Sequence, residues 1–173
     1  MNKRTLMQAL SLVGGIILLD QVTKLWIIRA IPYESPPPSD YGHTVIDGFL
    51  RITHHHNYGA SWGLFQGQTL FFIIVTLVAL AAFIVFAKDM DFKEKPVYSL
   101  GLSLLIGGTV GNFIDRIRFG YVVDFIDTYI FGYDFPIFNV ADMALTVGMA
   151  FFAFDILILE TARLRRHRDA KDV

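Results

Sequence analysis

The stretch TLFFIIVTLVALAAFIVFA, residues 69–87, contains no charged residue. A helix of roughly 20 apolar residues is long enough to cross about 30 Å of hydrocarbon, so this stretch predicts a transmembrane helix. Three more apolar stretches reach that length, at residues 6–31, 97–117 and 138–159. The sequence therefore predicts an all-α, polytopic membrane protein, with residues 1–173 forming a single domain around four transmembrane helices.

The composition agrees with this class and excludes others. Hydrophobic residues make up 54% of the chain and charged residues 18%, whereas ordinary soluble domains have about 45–50% and about 25%. The net charge of −1 gives no indication of a nucleic-acid partner, and the absence of cysteine excludes a disulfide framework and a thiolate zinc site. No small-x-small cleavage site follows the first apolar stretch, which favours a retained helix over a signal peptide.

The basic residues predict the orientation in the membrane. Ten of the 15 lysine and arginine residues lie in the N-terminus, in the connection at residues 88–95 and in the tail from Arg163 onward. Segments rich in these residues stay on the cytoplasmic side. Both termini are therefore expected to be cytoplasmic, and the segments at residues 32–68 and 118–137 external.

The two external segments have different patterns. His43–Thr53 alternates as a strand does and contains a turn-like Asp47-Gly48, which predicts a small sheet at the membrane surface. The segment 118–137 is rich in aromatic residues, which favour the headgroup interface. It is expected to cap a site or to anchor a short amphipathic helix on the bilayer.

Every polar or ionisable residue inside a predicted span is expected to lie toward the external end of that span. These residues are Asp20 and Lys24 in the first span, Asn112, Asp115 and Arg116 in the third, and Asn139 and Asp142 in the fourth. A charge inside a membrane costs about 3 kcal/mol on insertion scales, so such residues indicate a functional site.

Asp20 and Lys24 are four residues apart on one helical face, which predicts an ion pair. This pair is either structural or functional. In the functional interpretation, Lys24 reaches outward to a lipid phosphate or supports the site.

The third span has its own structural interpretation. Gly107 and Gly111 lie on one face, at the spacing that lets membrane helices approach closely. Asp115 and Arg116 follow on a polar face, where they can satisfy each other or neighbouring helices.

Asp124 and Asp142 are acids flanked by apolar residues at a similar predicted depth. Two carboxylates that converge cannot both ionise readily, so one keeps a proton. Such a pair can activate a water molecule and protonate a leaving amine. Spacing alone leaves Asp115, Asp127 and Asp134 as rival acids.

The triplet His54-His55-His56 suggests a metal site, but consecutive residues on a strand point to alternate faces, so all three cannot bind one ion. The sequence has no G-x-S-x-G, H-E-x-x-H or P-loop motif. A serine or cysteine nucleophile has no support, and no metal is expected.

Five segments together resemble bacterial lipoprotein signal peptidase, also called signal peptidase II. They are DQVTK at 20–24, NYGASWG at 57–63, GGTVGNFIDR at 107–116, VVDF at 122–125 and FNVAD at 138–142. Their order and spacing are highly specific, although each alone would be weak. The histidine triplet belongs to none of these segments.

The resemblance implies an aspartic endopeptidase of the bacterial cytoplasmic membrane. Its substrate would be a prolipoprotein whose lipobox cysteine carries diacylglycerol, cleaved just before that cysteine at the outer face. The implied fold is four transmembrane helices with an external β-cradle and a short external helix. The enzyme is expected to be monomeric, to contact membrane lipid and to need no cofactor.

The resemblance also implies roles for individual residues. Asp124 and Asp142 would be catalytic and would share one proton, without an assignment of the resting base. Substrate binding or support of the site would fall to Asn57, Asn112, Arg116, Asn139, Asp20, Lys24, Gly108 and Asp115.

Two other functions remain open from the residues alone. A small transporter would need polar residues along a path between both faces, whereas the inner halves of the predicted spans are nearly all apolar. A scaffold protein would use the glycine face and the aromatic segment for contacts, and it would tolerate isosteric changes of the two aspartates.

Overall fold

The computed structural model describes residues 1–34, 42–59 and 64–161. Within them lie four helices that are long and apolar enough to cross a membrane, as hydropathy predicted. They are α1 (Lys3–Ala30), α2 (Thr69–Phe86), α3 (Pro96–Phe119) and α4 (Val140–Phe154). A 3-10 turn at Ala87–Asp89 extends α2, and a π-helical turn at Asp155–Leu159 extends α4. Outside the described residues lie the prolines at 36–38, part of the segment 57–63 and the basic tail from Arg163.

Local sequence explains where α3 and α4 begin and end. Pro96 occupies the first turn of α3, where its missing N–H costs nothing, and Gly120 ends the helix in the left-handed conformation with φ of 81°. Asn139 caps α4: its side chain accepts a hydrogen bond from the Asp142 backbone N–H, and the Asp142 side chain accepts one from the Asn139 backbone N–H. This capping box fixes the position of Asp142 at the helix entrance.

The helix α3 forms the centre of the bundle. It carries eleven buried residues, whereas α2 carries none. Glycines bring its neighbours close: a Cβ on Gly107 would lie 2.9 Å from the Ile16 side chain of α1, and one on Gly108 would lie 2.5 Å from the Ala141 carbonyl oxygen of α4. The small-residue face predicted for helix packing therefore serves α1 and α4 together.

Four strands form one antiparallel sheet in the order β1-β2-β3-β4. They are β1 (His43–Ile46), β2 (Leu50–Asn57), β3 (Val122–Ile130) and β4 (Tyr133–Phe138). The strand prediction for His43–Thr53 is confirmed. The description all-α is too narrow, because the sheet is a substantial part of the fold.

The segment 118–137 differs from the prediction of a short amphipathic helix. It forms β3 and β4, joined by a turn at Phe131-Gly132, and the described residues contain no short helix between α3 and α4. Residues 122–130 are mostly valine, isoleucine, threonine and aromatic residues, which favour strands. The sequence prediction used the aromatic content of the segment and overlooked this strand preference.

An apolar cluster attaches the sheet to the bundle. Ile27 and Ile31 at the end of α1 pack against Val123 and Phe125 of β3, and all four are buried. The strand β3 begins just after α3, and β4 leads into α4. The sheet therefore lies beside the C-terminal ends of α1 and α3 and the N-terminal end of α4.

The expectation that polar residues lie only toward one end of the spans is wrong. Asp155 is 1% exposed and lies in the π-helical turn, at the opposite end of α4 from Asp142. Ser99 and Ser103 are also buried, on the early part of α3. Sequence alone did not indicate that these residues face protein.

The crossing of α3 and α4 gives a stability prediction. A Cβ on Gly101 would lie 2.7 Å from the Phe152 backbone nitrogen and 3.0 Å from the Gly148 carbonyl oxygen. We expect Gly101→Ala to lower the free energy of unfolding by about 1–3 kcal/mol, since overpacking forces the two backbones apart. Thermal unfolding in detergent measures this. Gly14→Ala is the control, because its Cβ would meet no atom within 4 Å; equal losses in both variants would contradict the expectation.

Candidate active site

A buried lysine lies at the centre of the polar network. The Lys24 Nζ is 2.9 Å from Asp20 Oδ2 on the same helix and 2.9 Å from Asp115 Oδ2 on α3, and it donates to Asn112 Oδ1 at 3.0 Å. Lys24 is 1% exposed. The predicted Asp20–Lys24 ion pair is confirmed, whereas the interpretation that Lys24 reaches out to a lipid phosphate is wrong.

Each carboxylate paired with Lys24 also holds a backbone N–H next to a second acid. Asp115 Oδ2 accepts from the Val123 N–H at 3.0 Å, immediately before Asp124. Asp20 Oδ1 accepts from the Ala141 N–H at 3.0 Å, immediately before Asp142. These two hydrogen bonds position both segments that carry the predicted acid pair.

Gln21 completes this network and was missed in the sequence. Its Nε2 lies 2.9 Å from Asp115 Oδ1, 3.2 Å from Asp20 Oδ2 and 3.3 Å from the Gly111 carbonyl oxygen. Its place inside the DQVTK segment was the available signal, because it directly follows a buried acid. Gly111 is required here, since a Cβ would lie 2.6 Å from Asp20 Oδ2.

Amide side chains hold Asp124 and Asp142. Asp124 Oδ2 accepts from Asn57 Nδ2 at 2.9 Å, and Asp124 Oδ1 accepts from Asn139 Nδ2 at 2.6 Å. Asp142 Oδ1 accepts from Asn112 Nδ2 at 2.8 Å, and Asp142 Oδ2 accepts from the Asn139 N–H at 3.1 Å. Asn139 therefore contacts both acids, one through its side chain and the other through its backbone.

Both acids line one cavity of about 700 Å³. Its wall includes apolar residues of α2, β4 and α4, together with Arg116 of α3. Among these residues are Phe72, Val75, Ala79, Phe135, Ile137 and Leu145. The arrangement places two carboxyls and a guanidinium beside an apolar groove.

Arg116 belongs to the cavity rather than to an ion pair with Asp115. Its Nη2 donates to the Gly59 carbonyl oxygen at 3.4 Å and its Nη1 to the Asn112 carbonyl oxygen at 3.5 Å, both long hydrogen bonds. The guanidinium lies 4.9 Å from the centre of the Phe72 ring. This position leaves the guanidinium directed toward the space beside the acids.

Asp124 lies on β3, outside the four apolar helices, and it is 1% exposed. Burial, followed by the negative charge of Asp142, raises the pKa of the Asp124 carboxyl to about 7. Hydrogen bonds from Asn57 and Asn139 and the charge of Lys24 act in the opposite direction, because they favour the ionised carboxylate.

The rival acids lie elsewhere. Asp127 Oδ2 pairs with Arg51, 2.6 Å from Nη2 and 2.8 Å from Nε, and Asp134 is exposed on β4. Asp115 forms an ion pair with Lys24. In residues 1–34, 42–59 and 64–161, no group of three or more histidines and carboxylates is arranged to hold a metal ion.

Comparison with known proteins gives consistent similarities. The family model described as signal peptidase (SPase) II matches residues 12–158. The lipoprotein signal peptidase of Staphylococcus haemolyticus is 44% identical over 143 residues, covering 83% of this chain and 86% of that protein. The lipoprotein signal peptidase of Staphylococcus aureus is 41% identical over 157 residues, covering 90% of both.

A solved structure of a bacterial membrane enzyme, determined by the in meso method at 1.9 Å resolution, is also similar. It is 40% identical, its TM-score is 0.74, and the match covers 87% of this chain and 93% of that one. The similarity therefore extends to the arrangement of helices and strands.

The Lys24 network gives a second stability prediction. Lys24→Met keeps an unbranched side chain, one atom shorter, and removes the charge, which leaves Asp20 and Asp115 buried without the lysine cation. We expect the free energy of unfolding to fall by about 3–5 kcal/mol, the usual effect of breaking a buried ion pair. Chemical or thermal unfolding in detergent measures it.

Lys93→Met is the matched control. Lys93 Nζ lies 3.7 Å from Glu94 Oε1, and both side chains are largely exposed. Exposed pairs contribute about 0–1 kcal/mol. If the two lysine variants were equally stable, the central role of Lys24 would be contradicted.

Proposed function

Because this chain belongs to the signal peptidase II family, we propose that Asp124 and Asp142 are the catalytic pair with which it removes signal peptides from prolipoproteins. The protein is a multi-pass membrane peptidase of that family. The observation that carries the proposal is the convergence of the two acids on one cavity, where Asn139 donates to both.

The pair performs acid–base chemistry on a water molecule. With one proton shared, the ionised carboxylate accepts a proton from water as the oxygen attacks the peptide carbonyl carbon. The protonated carboxyl then donates its proton to the leaving amine. The buried position of Asp124 and the charge of Asp142 both favour retention of that proton.

Neutral amides suit this role because they orient carboxyls without adding charge. Asn57 and Asn139 donate to Asp124, and Asn112 donates to Asp142. Arg116 lines the same cavity, and its long contacts leave it able to bind a substrate carbonyl oxygen. The remaining supporting residues, Asp20, Lys24, Gly108 and Asp115, act through the backbone positions they fix.

The cavity also suits the expected substrate. A prolipoprotein brings an apolar signal helix and a diacylglyceryl group on its cysteine, and both partition into the bilayer. The wall formed by α2, β4 and α4 is mostly apolar, and α2 has no buried residue, so lipid chains can reach the acids along it. We place the scissile bond just before the lipidated cysteine, with membrane lipid as a further contact.

The orientation follows from the basic residues. With both termini cytoplasmic, the sheet and the acid pair lie at the outer face, where the lipidated cysteine remains after cleavage. All the residues of the proposed site come from one chain, so a single copy is sufficient for the proposed chemistry.

The catalytic proposal predicts the effect of isosteric changes. We expect Asp124→Asn and Asp142→Asn each to lower turnover of a diacylglyceryl-modified precursor by about 10²–10⁴-fold, the usual contribution of an acid or base. Asp127→Asn is the control and should keep most activity, because Asp127 pairs with Arg51. Mass spectrometry of the cleaved lipopeptide measures the rates. Turnover near wild type in either dyad variant would favour a scaffold function.

The hydrogen bond from Asn57 predicts a change in the pH profile. Loss of the shared proton above the raised pKa of Asp124 removes the general acid, so turnover should fall as pH rises above that value. Asn57 stabilises the ionised form, so Asn57→Ala raises the Asp124 pKa further. We expect the alkaline limb of kcat against pH to move to higher pH in Asn57→Ala; no movement, or movement to lower pH, would refute this role.

A further inference from the structure

We propose that His56 is a positioning residue that keeps the neighbouring Asn57 hydrogen-bonded to Asp124. The inference rests on the proposed catalytic role of Asp124. It gives a function to the histidine triplet, which lies outside the five segments that indicate the family. His56 does not contact either acid, so its effect is indirect.

The imidazole of His56 is stacked between two tyrosines. Its ring centre lies 3.6 Å from that of Tyr33, with the planes 6° apart, and 3.8 Å from that of Tyr121, with the planes 20° apart. Tyr33 follows α1, and Tyr121 lies between α3 and β3. The stack therefore joins β2 to the ends of two helices.

A hydrogen-bonded chain fixes the same ring in its plane. The Ile31 carbonyl can only accept, so His54 Nδ1–H donates to it at 2.8 Å, and the tautomer that this bond selects leaves His54 Nε2 as an acceptor. His56 Nε2–H then donates to that nitrogen at 3.2 Å. Ile31 is the C-cap residue of α1, so these hydrogen bonds attach both histidines to the helix that carries Lys24.

Neutral histidine suits this chain of contacts. Burial, and then the nearby His54 and His55, lowers the pKa of His56 to about 4. At neutral pH the ring is therefore uncharged and carries one N–H, which is what the contact with His54 requires.

The position of His56 affects Asp124 through Asn57, the next residue in the chain. Asn57 is the last residue of β2, and its Nδ2 donates to Asp124 Oδ2 at 2.9 Å while its Oδ1 accepts from the Gly59 N–H at 2.9 Å. A strand end is held by few ladder hydrogen bonds, so its side-chain position depends on what anchors the adjacent residue. His56 is that adjacent residue, anchored on both ring faces and at one edge.

The chain offers a matched set of variants. His56→Ala removes the stack and the hydrogen bond, and His56→Phe keeps an aromatic ring between the tyrosines. His43→Ala is the control, because His43 is exposed on β1, which pairs with β2 but not with β3. Asp124→Asn measures the rate without the catalytic pair, and full-length protein in detergent with a diacylglyceryl-modified peptide gives kcat and KM.

We expect His56→Ala to lower kcat about tenfold with little change in KM, within the range of couplings in one contact network. His56→Phe should recover most of this loss, and His43→Ala should match wild type. The alkaline limb of kcat should move to higher pH in His56→Ala, as in Asn57→Ala. Lys24, Arg116 and Asp142 carry the charges around Asp124 in every variant, so these charges do not account for a difference between variants.

The decisive measurement is the double variant. If His56 acts through Asn57, His56→Ala should have no further effect on kcat in the Asn57→Ala background. Additive losses, or wild-type kcat in His56→Ala while Asp124→Asn is inactive, would overturn the positioning role and leave the catalytic proposal standing. Turnover by Asp124→Asn would overturn both.

Discussion

The buried ammonium of Lys24 is the interaction on which the rest of the site depends. It pairs with Asp20 and Asp115 on two different helices, and each of these carboxylates also accepts a backbone N–H directly before an acid of the proposed pair. Buried carboxylates need a cation or several donors to remain ionised. Here the lysine supplies the charge, and the segments leading to Asp124 and Asp142 supply further donors. The same contacts that make burial of the carboxylates tolerable therefore set the geometry of the acid pair.

The balance of charge explains why the proposed pair should hold a proton. Within this part of the structure four carboxylates, Asp20, Asp115, Asp124 and Asp142, face two cations, Lys24 and Arg116. The buried carboxylates exceed the cations, and the amides of Asn57, Asn112 and Asn139 add dipoles without charge. Binding one proton reduces the excess negative charge in a place where water is scarce. An additional lysine or arginine would ionise both acids and remove the general acid, so the uncharged character of the three asparagines is part of the chemistry.

Much of this arrangement could be predicted from the sequence. The features that could not be predicted were missed for one shared reason. Hydropathy identified four helices, the i, i+4 spacing identified the Asp20–Lys24 pair, and the glycine spacing identified close helix contacts. Contacts between distant segments were beyond local patterns: Lys24 meets Asp115 only because α1 and α3 pack in one register. Asp155 was overlooked for the same reason, since burial against other parts of the protein leaves no local signal, whereas Gln21 had a signal in its place inside the DQVTK segment. The prediction of a short helix in segment 118–137 was wrong because it relied on the aromatic residues and overlooked the strand-forming residues.

The polar side and the apolar side of the proposed site are formed by different helices and strands. The charged network belongs to α1 and α3, which contact each other closely and exclude solvent around Lys24. The cavity wall opposite belongs mainly to α2, β4 and α4, and most of its residues are apolar. A lipid-linked substrate approaching along that wall meets the carboxyls of Asp124 and Asp142 without displacing any part of the ion network. Because α2 contributes no buried residue and no member of the Lys24 network, the contacts that hold the two acids do not depend on it. In the proposed function, this division lets the apolar wall bind the signal peptide and its lipid while the Lys24 network keeps the two acids in place.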